Sequence, residues 1–382
     1  MDGGSETVAG PGRGDLGCAR ARAPAHPCGQ PGAVLSRWIT GLGPGSFAMV
    51  MATGIVSVAM LEESPAASAV LAIVAGAAWL LLLVLSGARL VWLGARVRAE
   101  LAGPATWADF FTVVAATEVL GARAWIAGLD GIASMLWAVG ALAWLLLAVS
   151  VPLAVGVRRG RVVWWAASGN WLLPVVATQS LAALAGSLVA DGRPWVLLLV
   201  SMGGWVLGLA LYAALVAAIG LRVLSVHHPP ARFTPDDWIV MGALAISALT
   251  ASSLLRAEPA ARLPTLVHTL LAGGGAACWA IATAALPALS VLQVGQLRRD
   301  PSARRYQARW WAAVFPLGMY GVTTHQLAVV LRWGHLEPVA RAAAWVAAAA
   351  WTTVAASGIV VSARRGRVAG GVGTSGCDLD GR

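Results

Sequence analysis

Apolar positions run through this chain in long blocks rather than in alternation, and the blocks are of two kinds. Stretches of about eighteen or more predominantly apolar residues read as membrane-crossing helices. Ten recur, at roughly 42–61, 67–92, 108–128, 132–157, 164–189, 194–223, 237–255, 264–294, 308–331 and 340–361. The even-numbered blocks are long and almost wholly apolar, as in AAWLLLLVLSGARLVWL. The odd-numbered blocks are shorter and hold nearly all the intramembrane polarity. Asp109 and Glu118 lie in the third, Asn170 and Gln179 in the fifth, His325 and Gln326 in the ninth. A charge at mid-depth in a bilayer costs about 2.5–3.5 kcal/mol on insertion scales. Odd helices are therefore expected to face one another or water, and even helices to face lipid. The prediction is an all-α integral membrane fold with ten transmembrane helices, an inner ring of five odd-numbered helices around a central pore.

Self-comparison gives the ring a repeat. Laid ungapped, RRGRVVWWAASGNWLLPVVATQSLA (158–182) and RRYQARWWAAVFPLGMYGVTTHQLA (304–328) agree at ten of 25 positions, the paired arginines and tryptophans included. In this alignment Phe315 faces Gly169, a bulky residue against an empty one. A shorter echo recurs as Ala52-Thr53-Gly54, Ala116-Thr117-Glu118, Ala177-Thr178-Gln179 and Thr323-Thr324-His325, with Ser247 or Thr250 standing in on the seventh block. The unit is a helical hairpin whose first helix carries a hydroxyl near mid-depth, repeated five times. Pro174 and Pro316 fall inside two inner helices, where a proline removes a backbone hydrogen bond and kinks the helix. Kinked helices with small-residue linings favour a pore over a packed bundle.

Composition fits this reading: 58% of the 382 residues are hydrophobic and 12% charged. The net charge of +10 does not signal nucleic acid, because the basic residues, all 27 of them arginine, fall in short clusters between the blocks. With the N-terminus inside, thirteen arginines lie in inside loops and six (Arg123, Arg193, Arg256, Arg262, Arg332, Arg341) in outside loops. That bias places both termini in the cytoplasm. Residues 1–37 and 364–382 are expected to be disordered cytoplasmic tails flanking the transport domain, 38–363, with no signal peptide. Cys18, Cys28, Cys278 and Cys377 lack ligand spacing, and His227-His228-Pro229-Pro230 sits in a loop without further ligands, so no metal site or cofactor is expected. No H-E-x-x-H, G-x-S-x-G or paired-aspartate motif is present, which speaks against an intramembrane enzyme.

PGSFAMVMATGIVSVA (44–59), NWLLPVVATQSLA (170–182) and WWAAVFPLGMYGVTTHQLA (310–328) resemble the tellurite-resistance/C4-dicarboxylate transporter family of the voltage-dependent anion channel superfamily, related to the plant slow anion channels. The resemblance implies five hairpins around a pore, a homotrimer with one pore per protomer, and passage of small anions or dicarboxylates across the cell membrane. Tellurite and sulfite are among the cargoes it implies. It also implies a gate: the phenylalanine beside the ninth-helix proline, here Phe315 beside Pro316. Candidate pore-lining residues are Thr53, Thr117, Glu118, Thr178, Gln179, Thr324 and His325. Glu118 opens an alternative. A carboxylate repels anions unless protonated or paired, and intramembrane acids mark proton relays, so a proton-coupled organic-acid carrier is the second reading. His325 is a potential partner of Glu118. The rival reading makes both residues structural.

Overall fold

The computed structural model describes residues 39–157, 167–190, 194–224, 233–261 and 263–374. Cys18, Cys28, Cys377, His227, His228 and Arg158, Arg159, Arg161, Arg193, Arg232 and Arg262 lie outside them. The described residues are helical, with no strand. The main helices are α1 (Ala48–Ala59), α2 (Pro65–Trp92), α3 (Thr112–Ile126), α4 (Asp130–Val157), α5 (Leu173–Ala190), α6 (Val196–Leu224), α7 (Ile239–Ala261), α8 (Thr265–Arg299), α9 (Trp311–Val330) and α10 (Glu337–Thr374). A short helix, Gly94–Leu101, follows α2. Its Glu100 pairs with Arg89, which is buried in the last turn of α2.

Among the described residues, seven helices are long and apolar enough to cross a membrane: the five even-numbered ones, α5 and α7. The best windows of the even helices are 11–28% buried, whereas those of α5 and α7 are 94% and 89% buried. The remaining three owe their weaker signal to being inside. Helix α1 has only twelve residues, α3 carries Glu118 and Arg123, and the Thr323-Thr324-His325-Gln326 run dilutes α9. Helices shielded from lipid need less hydropathy.

Each odd helix begins the same way, with a 3-10 turn running directly into the α-helix: Pro44–Phe47, Trp107–Phe111, Gly169–Leu172, Pro235–Trp238 and Ala308–Trp310. Neighbouring odd helices pack on one another around a circle, and α9 packs on α1 to close it.

Tryptophans on the outer helices tie the two rings together. The Nε1–H groups of Trp79 (α2), Trp144 (α4), Trp279 (α8) and Trp351 (α10) donate to the hydroxyls of Thr117 (α3), Thr178 (α5), Thr324 (α9) and Thr53 (α1), each at 2.9 Å. Trp205 on α6 completes the set by donating to the Ser247 carbonyl on α7 at 3.0 Å. Each of the four threonine hydroxyls in turn donates to the carbonyl four residues earlier on its own helix. Interhelical hydrogen bonds in membranes are worth about 0.6 kcal/mol on average. Five in register fix each helix's rotation more than they add stability.

The prolines divide. Pro316 stands inside α9, and Gly242 on α7 makes room for it: a Cβ at 242 would lie 2.8 Å from the Pro316 ring. Pro174 is the second residue of α5, where no intrahelical N–H is required. The kink expected at Pro174 is therefore not an interior one. Outer helices α4 and α8 carry their own internal prolines, Pro152 and Pro287.

Candidate functional site

The inner helices enclose a cavity of about 60 Å³ that all five help to line. Its apolar wall comes from Ile55 on α1, Val119 on α3, Leu184 on α5, Ile246 on α7 and Met319 on α9. Its polar wall comes from Glu118, Ser180, Ser187, Ser253, Arg256 and Gln326. A larger vestibule of about 530 Å³ sits over the C-terminal ends of the inner helices. Val58, Trp125, Ile126, Arg256, Val322 and Gln326 line both, so the small cavity is the inward continuation of the large one.

Arg256 is the pivotal residue missed from the sequence. It lies within α7, with Cζ 5.3 Å from the Trp125 ring centroid, a cation–π arrangement that holds a guanidinium beside apolar surface. The sequence reading ended the seventh span near 255 and assigned Arg256 to an outside loop. Helix α7 continues to Ala261 and carries Arg256 into the lining. Arg123, likewise assigned to an outside loop, is in α3 and donates to the hydroxyls of Ser57 (3.2 Å) and Ser68 (3.4 Å), which bridge α1 and α2. It braces helices and does not line the cavity.

The predicted residues separate into three places. Thr53, Thr117, Thr178 and Thr324 lie on the seam between the rings, their hydroxyls held by tryptophans. Gln179 joins that seam: it is fully buried, donates to the Trp205 carbonyl at 3.2 Å, and packs where a Cβ on Gly208 of α6 would strike it. Glu118 reaches the cavity. It is 1% exposed, presses on Gly140 of α4, and neither carboxylate oxygen has a hydrogen-bond partner. His325 belongs to the vestibule, with Nδ1 3.1 Å from Glu337 and Nε2 3.5 Å from Glu62. The sequence-derived pairing of Glu118 with His325 is not formed.

Phe315 is fully buried in α9, four residues before Met319 and so on the same helix face, one turn past the lined part of the cavity. Its sequence partner Gly169 lies elsewhere. That glycine belongs to the 3-10 turn before α5, where a Cβ would fall 2.2 Å from the Asp236 carbonyl oxygen. The ungapped match aligns hydroxyls but not helix starts: Thr178 is the sixth residue of α5, and Thr324 the fourteenth of α9.

Ser180 and Ser187, seven residues apart, form one face of α5 toward the cavity, and Ser253 and Arg256, three apart, do the same on α7. That spacing was readable in the sequence. The more conspicuous threonine echo drew attention from it.

A closed circle of polar-faced helices, wrapped by apolar ones and enclosing a cavity open at one end, defines a multi-pass membrane protein of the transport type. The chain belongs to the voltage-dependent anion channel family, whose model matches residues 41–359. It is 32% identical over 142 residues to an uncharacterized membrane protein of Mycobacterium tuberculosis, covering 37% of this chain and 72% of the relative. Two uncharacterized transporters of Methanocaldococcus jannaschii are also similar. One is 23% identical over 260 residues, 65% of this chain and 71% of the relative. The other is 26% identical over 163 residues, 41% of this chain and 45% of the relative. Family and relatives alike point to transport rather than catalysis.

Proposed function

We propose that this protein conducts small anions across the cell membrane through the space enclosed by its inner helices, with Phe315 as the gate. The observation that carries the reading is Arg256. It is a cation on the shared wall of vestibule and cavity, and Ser253 and Gln326 line the same cavity. A fixed positive charge at a constriction concentrates anions, and hydroxyl and amide donors replace their hydration shell. Phe315 is fully buried one turn from Met319 on the same helix face, which supports its reading as the gate. The ten helices would cross the bilayer as five hairpins with both termini cytoplasmic, and the family resemblance favours a homotrimer with one path per protomer. Inorganic anions and C4-dicarboxylates are the cargo class; tellurite or sulfite would fit the same donors.

The test is flux in proteoliposomes across chloride, nitrate, sulfite, malate and tellurite, for the native chain and Phe315→Ala. Removing a gate should raise anion flux at least severalfold with the folded yield unchanged. If the ring only packs, its loss costs about 3–5 kcal/mol and leaves a destabilised, inactive protein. Unchanged flux in a stable variant would also remove the gate.

One observation favours a second reading, a proton-coupled organic-acid carrier. Glu118 is a buried acid among the residues that line the cavity, with its carboxylate packed on Gly140 of α4 and neither oxygen hydrogen-bonded.

A further inference from the structure

We propose that Glu62, His325 and Glu337 form a binding site for a divalent transition-metal ion of the zinc class on the vestibule wall. The three side chains come from separate segments: Glu62 from the turn after α1, His325 from the C-terminal half of α9, and Glu337 from the start of α10. One ligand atom from each lies within 4.8 Å of the other two. In a tetrahedral zinc site, bonds of about 2.0–2.2 Å to nitrogen and oxygen set neighbouring ligand atoms about 3.4 Å apart. His325 now meets the two carboxylates through different nitrogens, Nε2 at 3.5 Å from Glu62 Oε1 and Nδ1 at 3.1 Å from Glu337 Oε2, so an ion on one nitrogen draws the other carboxylate in from within the 4.8 Å that separates one ligand atom of each residue.

The rest of the vestibule supports a cation here. Its lining carries four carboxylates, Glu62, Glu63, Asp130 and Glu337, and two guanidinium groups, those of Arg256 and Arg341. Glu63 is taken by Arg341 at 2.9 Å and by the Trp345 indole at 3.1 Å. Arg256 lies over the Trp125 ring. Glu62 and Glu337 both meet the His325 imidazole, and two carboxylates with one imidazole make a set whose charge a divalent ion neutralises. A nitrogen ligand selects borderline metals such as zinc over magnesium and calcium, which prefer all-oxygen shells. The carboxylates also make the site cross-linking: an ion here would bind the ends of α1, α9 and α10 together beside the opening of the path.

The experiment is isothermal titration of the detergent-solubilised full chain with zinc chloride, and separately with magnesium chloride. Comparison with His325→Ala isolates this site from any other zinc bound by the chain. The native protein should bind one more tight equivalent of zinc than His325→Ala. Glu62→Gln should weaken that equivalent at least tenfold. His335→Ala, which removes an exposed histidine nearby, should leave it intact. Melting curves that coincide for the variants show that folding is preserved, since His325 and Glu62 are both partly solvent-exposed. Equal stoichiometry in the native chain and His325→Ala overturns the proposal. So does equal displacement of the zinc by magnesium. The readout is binding and not flux, so it stands or falls separately from the anion path.

Discussion

The two ends of the inner ring are built on opposite plans. At the N-terminal end the five 3-10 turns are stitched to one another. Thr112 donates to the Pro44 carbonyl at 3.4 Å, Asn170 donates to Asp109 at 3.0 Å, the Gly169 backbone lies against that of Asp236 and Asp237, and Arg309 pairs with Asp236 at 3.6 Å. At the C-terminal end the helices splay around a vestibule of about 530 Å³. Helix N-termini carry partial positive charge, which explains why carboxylates such as Asp109, Asp236 and Asp237 settle at the stitched end. The difference teaches how a ring of short helices keeps a vestibule at one end. One end supplies rigidity through close backbone contact and short polar links. The other can then remain open without the ring collapsing.

Breaking the stitched end should have the largest effect. A side chain at Gly169 would meet backbone atoms of Asp236 at 2.2 and 2.5 Å, which cannot swing aside as a flexible side chain can. Gly169→Val should destabilise by about 3 kcal/mol or more, the upper range for forced overpacking. Thermal melting by circular dichroism checks it. The matched change at the open end is Gly131→Ala in the first turn of α4, where an added Cβ meets nothing within 4 Å. It should be neutral or stabilise slightly. Equal losses at the two positions would erase the contrast between the ends.

At the open end the sharpest test is charge. Arg256→Gln keeps hydrogen-bonding capacity and removes the cation from the cavity wall. Anion flux should fall about tenfold, and the fall should shrink at high ionic strength, because screening weakens an exposed field more than a local donor. Arg123→Gln serves as the comparison. Its guanidinium bridges Ser57 and Ser68, so its loss should lower the melting temperature while leaving anion selectivity alone. A selectivity change at Arg123 with none at Arg256 would move the path to another face of α3.

How much of this was legible in the sequence depends on what each residue type can reveal by itself. The alternation of polar and apolar helices was legible, because lipid and protein impose different hydropathies on whole segments. The hydroxyl echo at Thr53, Thr117, Thr178 and Thr324 was legible as a repeat, but not its purpose. Each acceptor's donor sits on an outer helix that the sequence shows only as apolar, as with Trp351 and Thr53, 298 positions apart. A polar residue on an inner helix has two directions in which to be satisfied, toward the axis or toward the outer ring, and one sequence does not say which. Arg256 was lost for a different reason. Its block was ended near 255, one residue before the charge, whereas a cation over Trp125 is supported by a residue on another helix. Gly169 misled because an ungapped repeat assumes equal helix starts, and α9 runs eight residues further than α5 before reaching its hydroxyl.

The smallest expected effect, and the one that separates channel from carrier, is at Glu118. The side chain lines the cavity from α3, is 1% exposed, and has no hydrogen-bond partner on either oxygen. Gly140 leaves the space it fills, so the nearly isosteric Glu118→Gln should fold with native stability or slightly better, since it removes a buried unpaired acid. If Glu118 exchanges a proton during transport, its ionised form repels the cargo and its neutral form admits it. Flux in the native protein should then rise as pH falls. Glutamine holds the site permanently neutral, so the variant should conduct at all pH values, with a flattened profile and no response to an imposed proton gradient. The measurement is anion uptake into proteoliposomes between about pH 5 and 8, with and without that gradient. His325, near the path, contacts Glu62 and Glu337 in the vestibule and not Glu118. His325→Gln in the Glu118→Gln background therefore tells the two groups apart. A pH profile that survives Glu118→Gln but disappears in the double variant would assign the dependence to the vestibule and leave the cavity a passive anion channel.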